Sequence, residues 1–216
     1  MIVLIGACRV PYRRGLLTPA ISPPGEKVFS DDIVRRFLEE SPASFKLLTS
    51  VVFKFKFQKI TGIGCLEIDR NKGTFSVACV NPLGVKLFEM SGDRKNTVCH
   101  YALEDFKKRG DIASAIGEDI RRMYFDIVPS NIAGMTRKRG CVVIGEQQGR
   151  GTAKYWFSVA DGLLVRKDFS ENGKMVWRIT MNGYRRIEGK NYPGMTVLSN
   201  YKYGYSLEVR MKEVVD

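Results

Sequence analysis

The sequence predicts a mainly β fold carrying a helical insert, of class α+β. Three observations predict it. Apolar and polar residues alternate over many short runs, turn-forming groups such as Asp161-Gly162 and Glu171-Asn172-Gly173 separate those runs, and residues 111–125 switch to helical spacing. With 44% hydrophobic and 11% aromatic residues in 216, the chain has ample material for a core. No window approaches the ~18 to 20 consecutive apolar residues of a membrane-spanning helix.

In chain order, Ser30 followed by Asp31 and Asp32 reads as a helix start, because a capping hydroxyl and two acids favour the positive end of the helix dipole. Ile33, Phe37 and Leu38 then share a face, and Ser41-Pro42 ends the element. From Phe45 the period becomes two, with Val51, Phe53, Phe55 and Phe57 forming one apolar strand face. Residues 62–69 and 74–80 form a hairpin around Arg70-Asn71-Lys72-Gly73. Pairing Ile68 with Phe75, Leu66 with Val77 and Gly64 with Cys79 gathers the apolar side chains on one face. That register sends Cys65 to the other face from Cys79, which argues against a disulfide between them, whereas a one-residue slip would place Glu67 among the apolar residues.

Short strands follow at 85–90 and 97–101, parted by turns at Asn81-Pro82-Leu83-Gly84 and Ser91-Gly92-Asp93. A helix over 103–108 breaks at Gly110. A stronger one over 111–125 lines up Ile112, Ile116, Ile120 and Met123 in a stripe, until Pro129 and Gly134 end the insert. Six further strands are expected at 141–145, 153–160, 163–169, 175–187, 195–201 and 205–215, making about 11 in all. Nothing between the halves has the composition of a linker, so residues 30–216 read as a single domain.

The formal charge is +12, from 35 Lys and Arg against 23 Asp and Glu. Such a balance favours anionic partners, an anionic membrane surface among them. The basic groups at Arg9–Arg14, Lys54–Lys59, Lys107–Arg109, Arg137–Arg139 and Arg185–Lys190 are spread along the chain. They do not form one recognition helix or tail, which disfavours nucleic acid. Phe53, Phe55 and Phe57 interleaved with Lys54 and Lys56 superficially match a base-stacking strand, but three phenylalanines on one strand face read first as core.

The sequence carries no recognisable catalytic constellation. His100 is the one histidine, no Gly-x-Ser-x-Gly occurs, and Gly145–Gly151 lacks the Gly-Lys-Ser/Thr ending of a phosphate loop and reads as a hairpin turn. None of the five cysteines has Cys-x-x-Cys spacing, and no calcium-loop pattern is present. The expectation is a non-enzymatic protein with no catalytic residues, no metal and no cofactor.

Met1-Ile2-Val3-Leu4-Ile5-Gly6-Ala7-Cys8 resembles the end of a bacterial signal segment with a lipobox, in which the Cys8 thiol receives a diacylglycerol. The apolar stretch is short and no basic region precedes it, so residues 1–29 are expected to be a truncated signal and lipobox followed by a flexible tether rich in Pro, Gly and Arg. The competing reading is an ordinary apolar strand with a buried cysteine.

Two blocks carry a wider resemblance: residues 64–88, with the run Val80-Asn81-Pro82-Leu83-Gly84-Val85, and the C-terminal meander with Asp161-Gly162-Leu163-Leu164, Gly183-Tyr184-Arg185 and Tyr192-Pro193-Gly194-Met195. Together they resemble the bacterial lipoprotein-carrier superfamily, the LolA/LolB-like fold. The resemblance implies an incomplete antiparallel β barrel with helices covering its concave face. It also implies a monomer, lipid-anchored at the periplasmic face of the Gram-negative outer membrane, that buries an acylated lipoprotein or a lipid. On that reading Leu66, Ile68, Phe75, Val77, Leu87, Ile116 and Ile120 line an acyl cavity. An ordinary packed core would use the same residues, and the alternative function is an envelope structural or assembly lipoprotein with a filled interior and a protein partner.

Overall fold

The computed structural model describes residues 24–104, 112–131 and 134–215. Helix α1 (Pro24–Glu40) leads into strands β1 (Ser44–Phe55), β2 (Gln58–Asp69), β3 (Thr74–Val80), β4 (Lys86–Gly92) and β5 (Thr97–Ala102). Helix α2 (Ile112–Ile120) follows and runs into a π-helical turn, Arg121–Phe125. The chain continues through β6 (Gly134–Lys138), β7 (Cys141–Gln148), β8 (Gly151–Ser158), β9 (Leu164–Glu171) and β10 (Lys174–Asn182). It ends with β11 (Arg185–Ile187), β12 (Lys190–Tyr192), β13 (Met195–Asn200) and β14 (Tyr205–Val215).

Twelve strands form one antiparallel sheet in the order β5-β4-β3-β2-β1-β14-β13-β10-β9-β8-β7-β6, and β11 and β12 form a separate ribbon. The edge strands β5 and β6 are not bonded to each other, so the barrel is incomplete. They are also the strands that flank the helical insert in sequence. The insert therefore follows one free edge of the sheet and precedes the other.

One half of the sheet is filled. Ile144, Tyr155, Phe157, Leu164, Ile179 and Leu198 are almost wholly buried there, against Ile33 and Phe37 of α1. Phe37 meets Phe157 edge-on with ring centroids 5.5 Å apart. At about 1.5–3 kcal/mol for each large side chain removed from water, this half holds the molecule together.

The hairpin β2–β3 has the expected register, with Ile68 opposite Phe75, Leu66 opposite Val77 and Gly64 opposite Cys79. Cys65, Cys79, Cys99 and Cys141 are free thiols. Other expectations are corrected. Helix α1 starts at Pro24 rather than Ser30, inside the segment read as tether, because a proline fits the first turn, where its missing N–H has no partner to lose. Phe57 is not a fourth inward residue of β1: the strand ends at Phe55, Lys56 takes a left-handed φ of 52°, and Phe57 sits fully exposed in the turn. The expected strand over 175–187 breaks after Asn182, where Gly183 has φ 60° and the β11–β12 ribbon loops out. With β6, which is short and mostly polar, the described residues hold fourteen strands instead of about 11. The expected helix over 103–108 falls largely outside the described residues, as do Cys8 and the lipobox.

Candidate functional site

The other half of the sheet is hollow. Val51, Phe53 and Phe55 of β1, Ile60 and Leu66 of β2, Val77 of β3, Leu87 of β4, Leu207 and Val209 of β14, and Ile116, Ile120 and Met123 from the insert surround a cavity of about 730 Å³. Their inward direction follows from the two-residue period of the strands. What marks this half is incomplete burial: Val51, Phe53, Ile60, Val77, Ile116 and Leu207 face inward yet stay only partly buried.

Two glycines shape the floor. A Cβ on Gly62 would lie 2.6 Å from Cys79 Sγ and 2.8 Å from the Val80 carbonyl oxygen, and one on Gly64 would lie 2.8 Å from Thr49 Oγ1. Thr49 Oγ1 instead donates to the Gly64 carbonyl at 3.1 Å, so its hydroxyl is satisfied beneath the apolar surface. Burial pushes the Cys79 thiol up to about 11, leaving it an inert, neutral part of the wall.

The helical cover is fastened at three places. At the β5 edge Gly117 lets α2 come close: a Cβ there would lie 1.9 Å from Thr97 Oγ1. Arg121 reaches from the same side to the carbonyls of Asp93, at 2.8 Å, and Asn96, at 2.5 Å. In the middle, Tyr205 of β14 donates to Asp119 Oδ2 at 2.6 Å, while Arg122 Nη1 lies 3.1 Å from Oδ1. Across the filled half, the buried Lys167 of β9 donates to the Arg122 carbonyl. The π turn widens the last turn of the insert, with the Asp126 N–H bonded to the Arg121 carbonyl at 3.1 Å, so that Met123, Tyr124 and Phe125 are all buried in succession.

Asp119 is the one carboxylate in the cavity wall among the described residues. Burial pushes it up to about 6, against the opposing pull of the Tyr205 hydrogen bond and the Arg122 charge. Burial and the Asp119 charge raise Tyr205 well above the usual phenol range, so its hydroxyl stays a donor. Burial likewise pulls Lys167 down to about 8, although the charge of Asp126 works the other way.

Of the seven residues expected to line a cavity, Leu66, Val77, Leu87, Ile116 and Ile120 do line this one. Ile68 and Phe75 do not. They share the inward face, but they lie beyond Leu66 where the π turn closes over the sheet, with Phe75 6.4 Å from the Phe125 ring, and both are buried in the filled core. Sequence reasoning missed the contribution of β1, whose Phe53 and Phe55 read first as core, and of β14, which was expected only as a strand over 205–215. It also missed Asp119, although a carboxylate three residues after Ile116 and four before Met123 falls beside the apolar stripe.

The wall presents mainly apolar side chains, with Thr49, Gln58 and Asp119 among its few polar ones. No group of three His, Cys, Asp or Glu among the described residues is placed to hold a metal. His100 Nε2 lies 2.7 Å from Ser91 Oγ, on exposed edge strands and outside the cavity wall.

No protein-family model matches the sequence, and no curated protein matches it significantly. Solved structures do match in fold. A domain described as belonging to an outer membrane lipoprotein-sorting protein from Vibrio parahaemolyticus has a TM-score of 0.53 at 11% identity, over 85% of this chain and 90% of that one. A LolA superfamily protein from Nitrosomonas europaea has a TM-score of 0.55 at 9% identity, over 85% and 91%. A protein of a family of unknown function from Desulfovibrio piger has a TM-score of 0.51 at 10% identity, over 85% and 90%. At these identities the likeness is one of fold: the chain has the LolA-like fold, an incomplete antiparallel barrel.

Proposed function

We propose that this chain, with its LolA-like fold, is a non-enzymatic binding protein of the bacterial envelope that buries the acyl chains of a lipoprotein or lipid in the cavity under α2. One observation carries the reading: an inward apolar surface left half-buried around about 730 Å³, within the usual range for ligand pockets. Each buried methylene contributes roughly 0.8 kcal/mol, so a dodecyl chain brings on the order of 10 kcal/mol of gross stabilisation without a covalent bond. The fold of the Vibrio lipoprotein-sorting domain and of the Nitrosomonas LolA protein supports the same reading. Anchoring through an acylated Cys8, at the periplasmic face of the outer membrane, belongs to the proposal, as do a monomeric state and a role in lipoprotein or lipid trafficking.

The test is displacement of bis-ANS from the full chain carrying Cys8→Ser, which removes any lipid of its own. A triacylated peptide or a phospholipid is expected to displace the dye saturably. Absence of displacement by either, from a sample with a cooperative thermal transition, would refute acyl binding and favour a protein-binding, structural role.

A further inference from the structure

A second, small cavity of about 40 Å³ lies between the C-terminal end of α1, the start of β1, the π turn and the β11–β12 ribbon. Phe45, Leu47, Met181 and the Tyr124 and Tyr192 rings give it largely apolar walls. Only Met123 and Tyr124 belong also to the wall of the larger cavity. One charged side chain lines it among the described residues: Arg70, the first residue after β2.

The backbone of Arg70 is held on both sides. Its N–H donates to the Ala43 carbonyl at 2.8 Å, and Arg94 Nη2 donates to its carbonyl at 3.3 Å. The guanidinium is not held. Its Nε is buried without a hydrogen-bond partner, and no carboxylate pairs with the group among the described residues. Burial alone pulls Arg70 down to about 10, with no neighbouring charge to oppose it. Arg122, Arg166 and Arg178, which are also partly buried, are each bonded to a carboxylate. The hydroxyls of Tyr124 and Tyr192 have no hydrogen-bond partner among the described residues either, and burial raises both, so they stay protonated donors.

An unpaired guanidinium desolvated among aromatic rings favours an anion that brings its own acceptors. Arg70 keeps some exposure, so such an anion can reach it from solvent. Room decides which anion. At about 10–15 Å³ for each water-sized occupant, the space holds about three, which is the size of a carboxylate and too small for a phosphate group. One positive charge between apolar walls also balances one negative charge and would leave a second unpaired.

We propose that this cavity is a binding site for a carboxylate on a short apolar stem, its oxygens taken by the Arg70 guanidinium and its stem by Phe45 and Tyr192. The chemistry is the same in a free short-chain acid and in the C-terminal carboxylate of an apolar peptide. The site is independent of the acyl-binding reading, since it uses a different cavity.

The experiment is titration of the full chain carrying Cys8→Ser, followed by heteronuclear NMR of the arginine Nε–H groups. The probes are butyrate, butyramide, and acetyl-Ala-Leu with a free or an amidated C-terminus. The Arg70 Nε–H signal, identified by its absence from Arg70→Lys, is expected to move saturably with butyrate or the free peptide and to stay in place with the two neutral amides. Movement with butyrate alone assigns the site to free acids, and movement with the peptide alone assigns it to chain ends. By calorimetry, Arg70→Met should lower the affinity at least about tenfold. Lys72→Gln, which removes an exposed charge two residues away, should leave it unchanged. Undiminished binding in Arg70→Met, equal losses from the two substitutions, or an Arg70 signal that no carboxylate moves would each overturn the proposal. The last outcome is read on the arginine-bearing protein, so it decides the matter even if Arg70→Met fails to fold.

Discussion

Asp119 holds its proton more tightly when folded, up to about pH 6 against 3.8 for the ordinary side chain, because burial penalises the charge. Between those values the folded state binds the extra proton. The stability this confers is complete below 3.8 and is lost as pH rises through 6. At about 1.4 kcal/mol per pH unit, the gap bounds the effect at about 3 kcal/mol. Asp119→Asn keeps an acceptor for Tyr205 and removes the buried charge, so the variant should be more stable than the parent by about 1–3 kcal/mol at neutral pH and no more stable below 3.8. Thermal unfolding across that range checks it, and no gain at neutral pH would mean the Arg122 pair fully offsets the burial cost. Helical spacing sets this residue beside the apolar stripe, but its meaning comes from Tyr205, 86 residues away in sequence.

At the scale of elements, the sequence was informative wherever one local rule decided the outcome. The β2–β3 hairpin is legible down to its register, since a one-residue slip would set Glu67 among the apolar residues. The stripe of the insert is legible because Ile116, Ile120 and Met123 repeat at helical spacing. The Gly117 approach to Thr97 and the π turn are not, for each depends on a partner distant in sequence. The elements that line the cavity allow a sharper test than burial alone. Ile116 belongs to its wall and is only partly buried. Ile116→Asp should therefore weaken acyl-ligand binding by at least about tenfold while costing less than about 2 kcal/mol of stability, because a surface-accessible carboxylate stays hydrated until a ligand covers it. Equal losses in dye-displacement affinity and unfolding free energy would show Ile116 to be ordinary core.

For the molecule as a whole, the sequence cannot distinguish a hollow half from a filled one. Val77 and Phe75 lie two residues apart on the same face, yet one borders the cavity and the other is packed against Phe125. Direction along a strand is written in its period; distance to whatever lies above is set by how far the sheet bends and where the insert lands. A hollow fold gains stability from what it holds. A triacylated peptide at about a hundred times its Kd should add about 2.7 kcal/mol, which for a chain of this size raises Tm by roughly 5–10 °C. A shift absent for the peptide, in a protein that still unfolds cooperatively, would count against an acyl-filled interior.

The insert that covers the cavity follows one free margin of the sheet and precedes the other. Bonded at the β5 side through Arg121, at β14 through Tyr205 and at β9 through Lys167, it resembles a strap fastened along its length more than a door on a single hinge. On the acyl-binding reading proposed above, a guest that lifts the insert works against the Arg121, Asp119 and Lys167 bonds together.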